Sequence, residues 1–179
     1  IPDSVTSIGD EAFSGCESLQ YIKIPDSVTS IGDEAFGGCK SLQSINIPGS
    51  VTSIGDDAFL FCTSLQSINI PSSVTSIGKG VFNMCESLIK VDIFNKNYYT
   101  QDNMLISSQG VVLSCWSKAD NIVLPDSVTS IGDSAFIWCK SLQSINIPDS
   151  VTSIGDEAFM DCTSLQYIDL SDGLTSIGD

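Results

Sequence analysis

Apolar and polar residues along this chain follow a pattern that repeats every 23 residues. Its clearest copy is IPDSVTSIGDEAFGGCKSLQSIN, residues 24–46, and the copies at residues 1–23 and 47–69 match it almost letter for letter. In each copy a segment such as Ile22-Lys23-Ile24 alternates apolar and polar residues, which predicts a strand with one buried face. A proline follows this strand, and its missing N–H ends the pairing.

The remainder of each copy predicts two further elements. The segment VTSIG has a spacing that predicts a bent strand or a turn, and its repeated glycine indicates either a positive φ or a close backbone approach. The next segment, Asp33–Cys39, places Ala35, Phe36 and Cys39 at helical spacing. It therefore predicts one or two helical turns, partly 3₁₀, with Asp33 as the N-cap.

Self-similarity at this period is typical of a solenoid, in which each copy forms one coil and equivalent strands pair in parallel. Regular copies fill residues 1–92 and 124–179, and a longer, irregular copy fills residues 93–123. Within it, Asn103–Ser107 and Val111–Trp116 flank Ser108-Gln109-Gly110, which predicts a β-hairpin. We therefore predict a single repeat solenoid over residues 1–179, with one irregular hairpin repeat.

The pattern LxxIxIPxSVTSIGxxAFxxCxS resembles the BspA-like (treponemal-type) leucine-rich repeat. The irregular copy is similar to that family's NxNYxxxDGxL unit, through Asn97-Tyr98-Tyr99 and Asp102-Asn103-Met104-Leu105, with Asn103 in place of the usual glycine. The resemblance implies an α/β repeat solenoid: a curved, right-handed leucine-rich-repeat coil stack with a parallel β-sheet on its concave face and short helical or 3₁₀ turns. It also implies a cell-surface or secreted protein with a role in adhesion.

Charge narrows the possible partners. The chain has 22 acidic residues against seven basic ones, all lysine, for a net charge of −15, and it contains no histidine. Nucleic acid and anionic membrane surfaces are therefore disfavoured as partners, because both require clustered basic residues. No apolar run is long enough to insert into a bilayer. Without histidine, the abundant serines lack an activating base, so we expect neither an enzyme nor a cofactor.

Two ladders of repeated residues allow a functional and a structural interpretation. The seven cysteines could pair as disulfides, but the apolar neighbours of the six repeat cysteines favour reduced thiols buried in the core, and the exposure of Cys115 stays open. The aspartates that follow most of the repeat prolines and glycines could bind Ca²⁺, but both series are interrupted, and solvated turns and caps explain them more simply. We expect no metal site.

The surface is the remaining candidate site. Outward strand positions form two polar columns, the irregular copy is rich in aromatic residues, and the two positions before each repeat cysteine vary most. Large residues at those variable positions are either binding anchors or extensions of the core. The candidate partner-binding surface comprises Tyr21, Lys23, Asn46, Asn69, Lys90, Asp92, Tyr98, Tyr99, Trp116, Trp138, Asn146 and Tyr167.

We expect this surface to bind a protein or glycan on a host or neighbouring cell. The alternative is a structural spacer without a ligand, which the near-identity of the copies favours. Neither end of the sequence has the pattern of a capping repeat, so we also expect possible head-to-tail self-association through uncapped coils.

Overall fold

A computed structural model describes residues 1–179 and shows a stack of coils built from sixteen strands without a helix. The strands are β1 (Ser7–Ile8), β2 (Ser30–Ile31), β3 (Ser44–Asn46), β4 (Ser53–Ile54), β5 (Ser67–Ile70), β6 (Ser76–Ile77), β7 (Lys90–Ile93), β8 (Tyr98–Gln101), β9 (Met104–Ser107), β10 (Val111–Cys115), β11 (Asn121–Val123), β12 (Ser130–Ile131), β13 (Ser144–Asn146), β14 (Ser153–Ile154), β15 (Tyr167–Asp169) and β16 (Ser176–Ile177). A regular coil after the first copy has a long strand, a two-residue Ser-Ile strand and a turn segment.

The long strands form the parallel ladders that the repeat predicts. β3, β5 and β7 pair in that order, with Ser44 opposite Ser67 and Ser67 opposite Lys90. β11, β13 and β15 form a second parallel sheet, in which Asn121 lies opposite Ser144. Equivalent residues of successive coils are therefore aligned. The corresponding segment of the first copy, residues 21–23, has a neighbour on one side only and forms no ladder.

The Ser-Ile strands form a second side of the stack. β1, β2, β4 and β6 pair in parallel, and the isoleucine of each strand lies inward, as Ile31 and Ile54 show. The glycine after each strand is explained by close approach, because a Cβ at Gly32 would meet the backbone N of Asp10 at 2.6 Å. Gly32 and its equivalents do not have a positive φ. Of the two explanations that the sequence leaves open, the close approach is confirmed.

The prediction of helical turns is not confirmed. Residues 33–39 form consecutive turns in which alternate amides point along the stack: Glu34 N donates to Asp56 O (2.8 Å) and Phe36 N donates to Ala58 O (2.9 Å). Only the intervening bonds close locally, as Cys39 N to Phe36 O does at 3.2 Å. Glu34 also has a φ of 49°, outside the right-handed helical region. Hydrogen bonds between coils replace the i to i−4 bonds of a helix.

The irregular copy forms the predicted hairpin with one additional strand. β9 and β10 pair antiparallel, β8 pairs antiparallel with the other edge of β9, and β10 continues in parallel with β12, β14 and β16. Asp102 and Asn103 connect β8 to β9 with φ values of 50° and 60°. Two successive positive φ values define a type I′ hairpin turn, which asparagine tolerates better than most residues. Asn103 can therefore occupy the position where the family usually has glycine.

Two apolar cores fill the stack, one on each side of the irregular copy. The first contains 26 buried residues and the second 17. A ladder of stacked phenylalanines runs through the first core, with ring centroids 5.6 Å apart for Phe36 and Phe59 and 6.0 Å apart for Phe59 and Phe82. Every residue of β9 is buried, and Leu105 belongs to the first core while Met104 belongs to the second.

Candidate interaction surface

The two polar columns lie on the long-strand side, as the register predicts. Lys23, Asn46, Asn69, Lys90 and Asn146 are exposed, and so are Tyr21 and Tyr167 at opposite ends. Asp92 is half-buried and forms an ion pair with Lys90 at 2.7 Å. The two columns are interrupted between β7 and β11, because those strands belong to different sheets.

Three aromatic residues of the irregular copy do not lie free on the surface. The Tyr98 hydroxyl accepts a hydrogen bond from Ile77 N (3.0 Å) and donates to Thr75 O (3.2 Å), so it occupies the unpaired edge of β6. Tyr99 is half-buried, and its hydroxyl lies 3.0 Å from Ser127 Oγ.

Trp116 is 7% exposed and packs edge-on against Phe82, with centroids 5.5 Å apart. Its position extends the apolar core at the end of the phenylalanine ladder, so its ring offers little surface to a partner. The sequence alone marks Trp116 as aromatic but does not show its burial.

Trp138 differs, because it belongs to a half-exposed patch on the turn side. Its ring lies 5.0 Å from the ring of Phe61, and its Nε1–H donates to Asp161 Oδ2 at 2.9 Å. Met84 is also half-exposed and lines a cleft with Trp138. We call Phe61, Met84 and Trp138 the aromatic patch. It combines residues of two consecutive copies before the irregular copy with Trp138 of the first copy after it.

The backbone of the aromatic patch is in the left-handed region. Phe61, Met84 and Trp138 have φ values of 57°, 60° and 57°. Two other copies place glycine at the equivalent position, Gly15 and Gly38, both at 72°. A side chain other than glycine costs about 1 kcal/mol in this conformation. Large residues therefore occupy this position although glycine would fit the backbone better.

A cleft of about 230 Å³ adjoins the aromatic patch. The residues that line it include the apolar Trp138 and Met84 and the charged Lys118, Lys140 and Glu86. Lys118 lies 3.6 Å from Glu86, so these two charges partly compensate each other. Two of the seven lysines thus lie beside the patch, in a chain of net charge −15.

A buried polar junction fixes the irregular copy beneath the patch. Asn83 is fully buried; its Nδ2 donates to Ser134 O (2.8 Å), and its Oδ1 accepts from Ser114 Oγ (2.8 Å) and Cys115 N (3.1 Å). Ser114 Oγ in turn accepts from Phe82 N at 3.0 Å. The junction links the coils on both sides of the hairpin, and the Lys79–Asp133 ion pair spans the same interval.

The cysteine ladder is a part of the core at most positions. Cys39, Cys62, Cys85, Cys115 and Cys139 are buried, and no cysteine forms a disulfide. The Cys62 thiol donates to Phe36 O at 3.2 Å, and burial raises its pKa to about 12. The expectation of a uniformly buried ladder is wrong at its ends: Cys16 is exposed and Cys162 half-buried, because each has fewer coils packed over it.

The aspartates that follow glycine bridge adjacent coils instead of capping helices. Asp33 Oδ1 accepts a hydrogen bond from Asp56 N at 2.8 Å, and Asp10 Oδ1 accepts from Asp33 N at 2.9 Å. Asp57 is more perturbed: burial raises its pKa to about 6, and the charges of Glu34 and Asp56 add to that shift. No group of three His, Cys, Asp or Glu side chains is arranged to hold a metal ion.

Besides Phe61 and Met84, the structure adds four residues on the long-strand side that sequence analysis did not select. Asn121 and Val123 belong to the two columns, because β11 aligns them with Ser144 and Asn146. Ile89 and Phe94 flank β7, and both are strongly exposed. Departure from the repeat was the available signal, since Ile89 stands where other copies have glutamine and Phe94 where they have proline. The chain contains no helix capable of crossing a membrane.

The parallel ladders, the stacked core and the 23-residue period define a leucine-rich-repeat solenoid. The sequence pattern of the BspA type leucine rich repeat region matches residues 1–111 and 113–179 in six copies. The chain belongs to the BspA-type leucine-rich repeat family, and this match points to no catalytic family.

Solved structures of bacterial repeat proteins are similar over nearly the whole chain. A leucine-rich repeat protein from Eubacterium ventriosum is 28% identical with a TM-score of 0.78, over 99% of this chain and 54% of its own. A leucine rich cell surface protein from Faecalibacterium prausnitzii is 33% identical with a TM-score of 0.72, over 98% and 54%. The pneumococcal vaccine antigen PcpA, 23% identical with a TM-score of 0.69 over 97% and 50%, shares the fold.

This chain spans about half the length of those structures. A comparison with curated proteins found no match.

Proposed function

We propose that this chain is a non-enzymatic protein-interaction and adhesion module of a cell-surface or secreted protein. The observation that carries the proposal is the aromatic patch. Phe61, Met84 and Trp138 keep large apolar side chains at a left-handed position where two other copies have glycine. Tryptophan is enriched among the residues that dominate binding energy.

The surroundings of the patch suit a macromolecular partner. The rings of Phe61 and Trp138 provide a rigid apolar surface, and the adjoining cleft adds Lys118, Lys140 and Glu86 as polar groups at its rim. An apolar centre with a charged rim is the usual arrangement of a protein interface. A protein or glycan on a host or neighbouring cell is the partner class that we propose. The cell-surface protein from Faecalibacterium prausnitzii supports the location.

The test begins with a binding screen of the chain against extracellular-matrix proteins and glycans. Each hit is then measured with Phe61→Gly and Trp138→Gly, which remove the side chains and relieve the positive-φ cost. We expect Kd to rise about tenfold or more, the effect of losing a central anchor. Tyr167→Ser serves as the control, because it removes an exposed aromatic residue from another side. Unchanged binding by both glycine variants would overturn the assignment to the patch.

A structural spacer is the second candidate function. The long-strand columns favour it, because successive coils present identical residues: Ser44 and Ser67, and Asn46 and Asn69. A specific binding face would be expected to vary from coil to coil. A screen that yields no saturable ligand would favour the spacer.

A further inference from the structure

Where the two long-strand sheets of the stack meet, two strand edges face each other without pairing. β7 pairs with β5 and β11 pairs with β13, but β7 and β11 do not pair with each other although they end successive copies. No Cα atom of β7 lies within 8 Å of a Cα atom of β11. Paired strands are about 4.8 Å apart, so β7 and β11 are too far apart to pair with each other.

The irregular copy causes this break. On the other side of the stack, its residues cover the strand edges. There β6 and β10 do not pair with each other either, but β9 pairs with the free edge of β10, and the Tyr98 hydroxyl bonds to Ile77 N and Thr75 O and so occupies the edge of β6. On the long-strand side no side chain forms a hydrogen bond with the backbone of β7 or β11. We call this opening the β7/β11 gap.

Backbone donors point into the gap. Leu124 N donates to Asn146 O at 3.1 Å on the β13 side, and N–H groups alternate in direction along a strand, so Val123 N–H faces β7. Phe94 N likewise donates to Ile70 O at 3.0 Å on the β5 side, which directs Ile93 N–H towards β11. Both edges therefore offer the pattern of groups that another strand would satisfy.

Apolar substitutions in the repeat concentrate at the same place. Ile89 is 86% exposed, Phe94 64% and Val123 71%, and they are three of the eight large exposed hydrophobic residues in the chain. Regular copies place glutamine, proline and a polar residue at these positions. An unpaired edge with exposed apolar residues is an aggregation hazard that proteins normally avoid, so its retention indicates a use.

We propose that the β7/β11 gap receives an extended segment of another protein by β-strand addition, with apolar residues at alternate positions and lysine or arginine between them. Strand addition supplies backbone hydrogen bonds, and the exposed side chains at the edges select alternate residues. A net charge of −15 favours a cationic strand and disfavours a second copy of this chain. The inference rests on the proposed interaction function but uses a surface separate from the aromatic patch.

The test uses a short capped peptide of alternating valine and lysine, with binding measured by titration calorimetry at raised salt to screen general attraction. Two control peptides match its charge: one has the same residues without alternation, and the other carries N-methyl groups on alternate amides. We expect saturable binding by the alternating peptide and at least about fivefold weaker binding by both controls, the effect of losing one hydrogen bond or more.

Variants of the chain then locate the site. Val123→Pro removes the N–H that faces the gap and leaves Leu124 N on Asn146 O, and Ile89→Gln restores the residue of the other copies. Both should raise Kd about fivefold, whereas Met160→Gln, which changes an exposed apolar side chain in a turn segment, should not. If Val123→Pro lowers the melting temperature, Val123→Asn replaces it as the edge variant, because the equivalent position in β13 is Asn146.

Equal binding of the alternating and non-alternating peptides, or unchanged affinity in the edge variants, would overturn the proposal. Dimerisation of the chain in sedimentation that the peptide does not reverse would overturn the choice of a foreign segment. A ligand from the screen that requires Trp138 while the peptide fails to bind would leave the proposed function intact and remove only this inference.

Discussion

Replacement of Gly55 by alanine tests how closely the coils of this stack approach each other. A Cβ at Gly55 would lie 2.6 Å from Asp33 N and 2.6 Å from the carbonyl carbon of Gly32, and it would overlap the Asp33 carboxylate. Two of these three atoms are backbone, so a rotamer change cannot relieve the overlap. Gly49, in the same copy, is the matched control because a Cβ there would meet nothing within 4 Å.

The magnitude follows from three contributions. Overpacking against backbone costs about 1–3 kcal/mol, and displacement of Asp33 Oδ1 from Asp56 N removes a hydrogen bond worth about 1–2 kcal/mol at an exposed site. Alanine also restricts the unfolded chain more than glycine does, which stabilises the fold by about 0.4–1 kcal/mol. We expect Gly55→Ala to lower the free energy of unfolding by about 3 kcal/mol, whereas Gly49→Ala leaves it unchanged or slightly higher.

Urea denaturation followed by circular dichroism measures both variants against the parent chain. The midpoint and slope are compared together, because a changed slope would indicate that the two halves of the stack separate during unfolding. A Gly55→Ala midpoint indistinguishable from that of the parent would refute the close approach. Equal losses in the two variants would show that general loss of glycine flexibility, and not the contact with Asp33, governs the effect.

Three further predictions concern the cysteine ladder, Asp57 and Asn83. A thiol reagent should modify Cys16 rapidly and Cys62 only after unfolding, as mass spectrometry can establish; fast native labelling of Cys62 would contradict its burial. Burial raises the pKa of Asp57 to about 6. The ionised carboxylate therefore destabilises the fold above about pH 6, and this destabilisation disappears as the pH falls towards about 4. Asp57→Asn should therefore raise the melting temperature at neutral pH and change it little near pH 4; equal shifts at both would refute the assignment. Asn83→Ala should cost about 3 kcal/mol in urea denaturation, because it leaves Ser114 and Cys115 N without their partner, and a loss under about 1 kcal/mol would show that water replaces the amide.

The sequence was sufficient for the features that depend on repetition. Equivalent residues recur at a fixed interval, so stacking aligns Ser44 with Ser67 and Asn46 with Asn69. The hairpin was also predictable, because Met104–Ser107 and Val111–Cys115 are apolar runs around a glycine turn. Both predictions need only the local pattern and the assumption that neighbouring copies stack.

The turn segment and the gap could not be predicted, and both depend on bonds between coils. Ala35, Phe36 and Cys39 do have helical spacing, but Phe36 N donates to Ala58 O in the next coil. The local sequence does not show whether an amide bonds within its own coil or to the next one. The separation of β7 from β11 likewise depends on how the hairpin enters the stack. Ile89 and Phe94 were visible as exceptions to the repeat, but their meaning required the two unpaired edges.

The division of the core by the hairpin has a consequence for cooperativity. Leu105 and Trp116 belong to the first cluster of 26 buried residues, while Met104, Ile106 and Cys115 belong to the second cluster of 17, so the packing between the clusters passes through the hairpin. In a nearest-neighbour description of a repeat protein, this is the weakest coupling in the array. Residues 124–179 should then exchange amide hydrogens as a separate block while residues 24–92 remain protected. A segment bound between β7 and β11 would strengthen that coupling, so that the two halves of the stack would unfold together.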